Sequence, residues 1–349
     1  MSKRVLVAMS GGVDSSAAAA LLIKQGYQVA GATMLLTDAG MDAVRDARQV
    51  ADTLGIPHET FDFRAEFDQT VIRPFIAEYL AGRTPNPCVM CNRTVKFGAF
   101  LDKALALGYE YIATGHYARI AQENGRFSLY KAASTKDQSY VLYTLTERQL
   151  AHVLLPVCNY DKPALRTIAD EMGLAVAGKP DSQEICFIPE DDYIRFIEMY
   201  SPSPTSSCAG RFVDMNGRDL GTHQGYYRYT VGQRKGLGSF GARKFVVQVD
   251  AKSGNVILGE DADVYADALH TGLLHFMDGS PPANEFDCLA KIRYNAADVA
   301  ARAKLLTDGS AQIIFSSPAR AVTPGQSVVL YDGNRVLGGG IIKEACKIR

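Results

Sequence analysis

Two stretches of the chain combine residue types that could do chemistry. The first is MSGGVDSS, residues 9–16. The apolar run before it, Lys3 to Met9, reads as a strand, and Ser15 to Gln25, rich in Ala and Leu, reads as a helix. The stretch is therefore a strand-to-helix turn. Gly11 and Gly12 let the backbone approach a ligand closely, Ser15 and Ser16 are expected to cap the helix, and its first N–H groups face the turn. Such a turn binds an anion. Yet no lysine follows the glycines as in G-x-x-x-x-G-K-[ST], and G-x-G-x-x-G is absent. Asp14 stands where a cation would be expected. On geometry alone, a glycine turn that only links strand to helix is the competing reading.

The second stretch is TPNPCVMCN, residues 84–92, which places Cys88 and Cys91 as C-x-x-C in a proline-stiffened loop. That spacing serves a structural zinc site, a redox pair or an iron–sulfur ligand set. No second C-x-x-C or H-x₃-H follows at zinc spacing. A distant partner is Cys186 in DSQEICFIP, which lies among polar residues rather than in an apolar run. Cys158, Cys208, Cys288 and Cys346 occur singly and read as small buried hydrophobes. Seven cysteines in 349 residues do not suggest a secreted disulfide framework.

SGGVDS resembles the PP-loop of ATP pyrophosphatases, which split ATP into AMP and pyrophosphate. Moreover, MSGGVDSS, TPNPCVMCN, ATGHYARI, KDQSYVLY, DSQEICFI and VGQRKGLG occur in the order found in the tRNA-specific 2-thiouridylases, along essentially the whole chain. That resemblance implies replacement of the 2-oxygen of the tRNA wobble uridine by sulfur, with ATP and Mg²⁺. Ala8, Met9, Ser10, Gly11, Gly12, Val13, Asp14 and Ser15 match the positions that hold ATP, with Asp14 assisting the magnesium ion and catalysis. Met34 and Gly115 match positions lining the nucleotide pocket. Cys186 corresponds to the cysteine that carries sulfur as a persulfide, delivered by a cysteine desulfurase or a sulfur-relay protein, and Cys91 to the cysteine that attacks it. Both are expected in a polar, partly exposed, electropositive setting that favours thiolate. Asn86, Pro87 and Cys88 fall where the target base is contacted. His116, Lys136, Asp137, Gln138, Arg293, Tyr294 and Gln326 fall at tRNA contacts. In the best-known branch the position of Cys88 is an aspartate. Cys88, Cys91 and Cys186 together would instead suit a [4Fe–4S] cluster with one open iron, so a persulfide route and a cluster route compete.

Something must position these residues. Strand and helix signals alternate through the first half: strands at residues 28–35, 58–62 and 111–114, and helices at 42–54, 64–81 and 94–107. This predicts an α/β fold with a doubly wound parallel sheet, which binds ligands at the carboxyl ends of its strands. SPSPTSSCAG, residues 201–210, reads as a boundary. Beyond it the chain predicts strands at 245–249, 255–258, 290–294, 311–315, 327–331 and 336–343, and the last four suit a small β-barrel. The expected domains are 1–200 for ATP binding and catalysis, 201–270 for a small central tRNA-binding domain, and 271–349 for a C-terminal β-barrel.

Composition bounds the rest. No apolar run approaches a membrane span and no signal-peptide core is present, so a cytoplasmic protein is expected. The net charge of −1 hides an asymmetry, since residues 205–250 hold seven Lys/Arg against three Asp. That excess hints at a polyanion partner, although a solvated face explains it equally well. Two rival classes share part of this pattern. A PP-loop amide-forming ligase accounts for the first loop but not for the cysteines or the barrel, and a non-catalytic tRNA-binding protein leaves the cysteines idle.

Overall fold

The computed structural model describes residues 2–134, 136–179, 185–201 and 208–347, so part of the predicted boundary (202–207) and part of the Cys186 motif (181–184) lie outside the described residues. Strands β1 (Arg4–Ala8), β2 (Gln28–Leu35), β3 (His58–Asp62) and β4 (Tyr111–Ala113) are followed by a hairpin, β5 (Ala118–Glu123) and β6 (Arg126–Lys131), and then by β7 (Val153–Leu154). Five of these form a parallel sheet in the order β3-β2-β1-β4-β7. Strand order reverses between β1 and β4, and a doubly wound sheet opens its ligand crevice at such a point.

Helices α1 (Val13–Lys24), α2 (Met41–Leu54) and α3 (64–80), the longer α4 (87–106), the single turn α5 (Glu147–Leu150), α6 (Lys162–Glu171) and α7 (Tyr193–Tyr200) complete this half. Val13 and every residue from Ser15 to Leu22 are buried. The helix is apolar almost all round because it is enclosed, packing with Val5 and Val7 of the sheet, Ala47 and Val50 of α2, and Leu165 and Ala169 of α6.

After residue 208 the chain is mostly β. Strands β8 (Gly210–Asp214), β9 (Asp219–His223), β10 (Phe245–Asp250) and β11 (Asn255–Gly259) form a four-stranded sheet in the order β10-β11-β8-β9. Next come β12 (Tyr265–Thr271), the short β13 (His275–Phe276), β14 (Glu285–Lys291), β15 (Val299–Leu305), β16 (Ala311–Arg320), β17 (Ser327–Asp332) and β18 (Arg335–Cys346). Six of them run β12-β16-β15-β14-β17-β18, and β18 pairs back onto β12 to close a barrel. Its interior holds Leu269, Ile313, Val328, Leu330 and Ile342. Strands β7, β8, β9, β12, β13 and β15 went unforeseen, as did the β5–β6 hairpin, which leaves the first half of the chain and joins β18 through the Tyr130–Arg335 pair. Among the described residues no helix is long and apolar enough to cross a membrane.

The barrel presses on the first half at one turn. Gly325 has φ +92°, and a Cβ there would lie 2.9 Å from the Thr84 nitrogen. Thr84 N–H donates to Pro324 O at 2.9 Å across the same contact. Gly325→Ala is therefore expected to loosen this seam, at a cost on the order of 1–3 kcal/mol from strain and clash. Gly333→Ala, also at positive φ but in open space, is the control. Limited proteolysis should release the barrel faster from the Gly325 variant alone, and equal rates would contradict the contact.

Candidate active site

The loop after β1 sits at the sheet's switch point. Met9 N–H donates to Ala32 O on β2 at 2.8 Å, which pins the loop's first residue. Ser10 N–H donates to Ser15 Oγ at 3.2 Å and folds the turn on itself. The expected capping by Ser15 and Ser16 does not occur. Gly12 is the N-cap, and both hydroxyls instead donate back to Gly12 O, at 3.1 and 2.8 Å. No side chain caps α1, so its first amides keep no internal partner and remain available to an anion. Gly115, just past β4, meets this turn so closely that a Cβ would lie 2.7 Å from the Asp14 carbonyl carbon and 2.8 Å from the Ser15 nitrogen. Met34 is half-buried near the carboxyl end of β2. Open amides and closely packed glycines suit an anionic ligand at this turn.

The missing cation is present in space. Lys162, the first residue of α6, donates to Asp14 Oδ1 at 2.8 Å. Tyr117 Oη donates to the same oxygen at 2.7 Å. Lys179 donates to Gly11 O at 3.2 Å and to Asp46 at 2.5 Å. Sequence reasoning missed both lysines, since each lies about 150 or more residues from its partner and no spacing rule links them.

The cysteine pair is helical, which corrects the expected loop. Asn86 Oδ1 accepts from Cys88 N–H at 3.1 Å and Pro87 follows as the first helical residue. Cap and N1 proline together start α4 seven residues before Thr94, so Cys88 and Cys91 stand one turn apart. A π-helical stretch, Asn92–Ala99, comes directly after and carries Lys96. Cys186 sits on a short segment whose next residue, Phe187, is plugged among Phe67, Phe75 and Phe196 with ring centroids 5.4–5.5 Å away. Cys88 and Cys186 are near enough to raise the Cys91 thiol electrostatically, and Lys96 is near enough to lower it. The three thiols thus lie within electrostatic range of one another and of Lys96.

Their environment departs from the expectation of two exposed thiolates. Cys91 is 6% exposed and belongs to the core. Burial pushes its thiol up to about 12, outweighing Lys96. Cys186 reaches solvent, yet crowding by its surroundings raises its thiol too, with Lys96 opposing. Cys88 is exposed. Among the described residues, the group of three metal-type ligand atoms lying within 4.8 Å of one another is His270, Glu344 and Cys346 on the barrel, not these thiols.

The remaining expected residues divide into a loop and a seam. His116 is half-buried, its Nδ1 2.8 Å from Thr114 Oγ1, and burial holds the imidazole well below its usual range, hence neutral. Asp137 accepts from Ala132 N–H, Ser139 N–H and Ser139 Oγ, which fixes the turn that presents the exposed Lys136. Gln138 Oε1 accepts from Tyr117 N–H at 2.9 Å, and the Gln138 side chain is near enough to favour the ionised Tyr294 phenol. Tyr294 packs edge-on against Tyr140 and lies close enough to Cys88 to feel its charge. Arg293 donates to Val231 O at 2.7 Å and to Thr323 Oγ1, leaving its Nε buried without a partner. Gln326 donates to Thr84 O at 2.8 Å.

Iodoacetamide at pH 8 is expected to modify Cys88 and Cys186 well before Cys91. A thiol titrating near 12 is ionised to only about one part in ten thousand at that pH. Raising the pH toward 12 should bring Cys91 into reaction. Peptide mass spectrometry showing Cys91 labelled first would contradict its burial.

Comparison with known proteins bears on all of this. Residues 3–190 match a family described as tRNA methyl transferase HUP domain. Residues 195–260 match a tRNA methyl transferase PRC-barrel domain, and residues 266–342 an aminomethyltransferase beta-barrel domain. The tRNA-specific 2-thiouridylase of Acetivibrio thermocellus is 48% identical over 98% of this chain and 99% of its own. That of Carboxydothermus hydrogenoformans is 45% identical over 98% of each.

Proposed function

The chain belongs to the tRNA-specific 2-thiouridylase family, and from that premise we propose how its residues divide the reaction. ATP is placed with its phosphates on the β1–α1 loop. The uridine C2 oxygen attacks the α-phosphate, forming the O-adenylate and releasing pyrophosphate. The observation that carries this reading is the uncapped α1 N-terminus at the sheet's switch point, walled by Gly115. The loop's backbone donors suit a leaving pyrophosphate. Mg²⁺, when bound with ATP, would supply charge neutralisation, and the Asp14 carboxylate is the acidic group of the loop.

Sulfur comes from a persulfide on Cys186, loaded by a cysteine desulfurase or relay protein. The terminal sulfur attacks C2 and AMP leaves. The Cys91 thiolate then attacks Cys186 Sγ, breaking the S–S bond and leaving the sulfur on the base. The Cys91–Cys186 disulfide that remains needs an external two-electron reductant. Lys96 supports this assignment, because its charge favours the thiolate of both cysteines. A second reading is favoured by one observation, the convergence of Cys88 with that pair. Three thiolates suit a [4Fe–4S] cluster, which would supply an open iron for sulfide, and Cys88, Cys91 and Cys186 would hold it.

A thiolation assay with tRNA, ATP and a persulfide donor should yield AMP and pyrophosphate stoichiometrically; ADP as the product would refute the adenylation step. Cys91→Ser and Cys186→Ser should abolish thiolation with adenylation still measurable. Cys88→Asp should retain activity in the persulfide route and lose it, together with iron, in the cluster route.

The tRNA surface is proposed to run over Lys136–Gln138, the Arg293–Tyr294 seam and the central domain. There Arg234, Lys235 and Arg243 are exposed and Lys244 is half-buried, and none of the four makes an ion pair among the described residues, whereas Arg211 pairs with Asp219 and Arg228 with Glu198. Arg234→Ala and Lys235→Ala are each expected to weaken tRNA binding and flatten its log–log salt slope by up to about one unit. Unchanged slopes would remove that loop from the interface. Arg293→Ala is expected to loosen the central domain as well, since its guanidinium bonds Val231 O.

A further inference from the structure

ATP brings about four negative charges to a loop whose own donors are neutral amides and whose first helical turn carries a carboxylate, Asp14. Unpaired, that carboxylate would repel a phosphate. Lys162 cancels it, and its placement is built in rather than incidental. Asp161 caps α6 by accepting from Ala164 N–H at 2.9 Å, and Pro163 follows Lys162 in the first turn. Leu165 and Ala169, on the same helix, pack into the core that encloses α1. The helix therefore fixes where the lysine stem starts relative to the loop. Its side chain is only 13% exposed, against 43% for Lys179, so its ammonium is held in the crevice wall rather than in bulk water.

Resting on the reading of the β1–α1 loop as the ATP site, we propose that Lys162 is the residue that takes the place of the absent phosphate-loop lysine, binding the β- and γ-phosphates of ATP while Asp14 and Tyr117 position it. An ammonium carries three donors and can hold Asp14 and a phosphate oxygen at once. The aspartate in the loop and the lysine on α6 then form one unit. Asp14 aims the cation, and the cation removes the charge that Asp14 would set against the substrate. Lys179, more exposed and tied to Asp46, contributes less.

The test compares ligands that differ only in the phosphates concerned. Equilibrium binding of Mg·ATP, pyrophosphate and AMP would be measured for the full chain with Lys162, Lys162→Met and Lys162→Arg. The methionine keeps the apolar stem and so the packing. Lys162→Met should weaken ATP and pyrophosphate about 10- to 100-fold, the loss of one or two charge-assisted hydrogen bonds. It should leave AMP within about twofold and tRNA affinity unchanged, and Lys162→Arg should recover part of the loss. Equal loss of ATP and AMP would make Lys162 a structural support for α1 and overturn the proposal, as would ATP affinity equal to that of the unaltered protein. If the unaltered protein binds no ATP, the reading of the loop itself falls, and that outcome is separable because it appears before any substitution is made.

Discussion

The pairing of Asp14 with Lys162 and Tyr117 is the constraint on which the rest of this molecule hangs. A carboxylate in the first turn of a buried helix stabilises the helix dipole but opposes an anionic ligand at that same terminus. The fold resolves the conflict by bringing a lysine from α6, and that requires α6 to pack on α1. Tyr117 Oη satisfies the same carboxylate oxygen, and the Tyr117 backbone exchanges hydrogen bonds with Gln138 in both directions, N–H to Oε1 and O from N–H. Next to Gln138, Ser139 Oγ donates to Asp137 and meets Tyr331 Oη of the barrel at 3.2 Å. A continuous set of hydrogen bonds thus links the phosphate loop, the 136–138 loop and the barrel. Any ligand that moves Gln138 acts on the side chain that orients the loop's acid.

The same economy governs the seam between the three regions. Thr84, at the base of the cysteine-bearing helix, meets Thr230 Oγ1 at 3.0 Å, accepts from Gln326, and donates to Pro324 O. Arg293 crosses to Val231 O. Two residues assigned to RNA contact by resemblance, Arg293 and Gln326, therefore also bridge these regions. A site assembled from three regions needs its edges fixed before a polynucleotide arrives, and side chains at such an edge serve both ends. Arg293 shows the strain of doing so. Its guanidinium is half-buried, burial lowers its affinity for the proton, and its Nε has no partner.

Much of this was legible in the sequence, and the misses share a cause. The alternation of apolar strands with amphipathic helices was enough for the doubly wound sheet and for the loop at its switch point, because those elements are local and strongly periodic. What failed was non-local or depended on one side chain. Helix α4 starts at Pro87 because Asn86 caps it, and a run of prolines reads as loop unless that cap is recognised. Strand β15, Val299–Leu305, is VAARAKL, a composition that favours helix. Barrel closure overrides that preference, with Ala301 and Ala303 turned into its buried interior. Lys162 and Lys179 carried no local signal at all, since only the packing of α6 and of the 3-10 turn after it, residues 175–178, brings them to the loop. The cluster of thiols was visible as residue types, but their unequal burial was not.

That inequality has a chemical consequence for sulfur transfer. In the proposed roles Cys91 must attack Cys186 only after sulfur has reached the base, because an earlier attack would discharge the persulfide and leave a dead-end disulfide. A thiol titrating near 12 is protonated at neutral pH and a poor nucleophile. Burial therefore keeps Cys91 silent while Cys186, open to solvent, can meet a donor. What activates Cys91 in those roles must reduce its desolvation or strengthen the pull of Lys96. In those proposed roles, loading of the exposed Cys186 precedes attack by the buried Cys91.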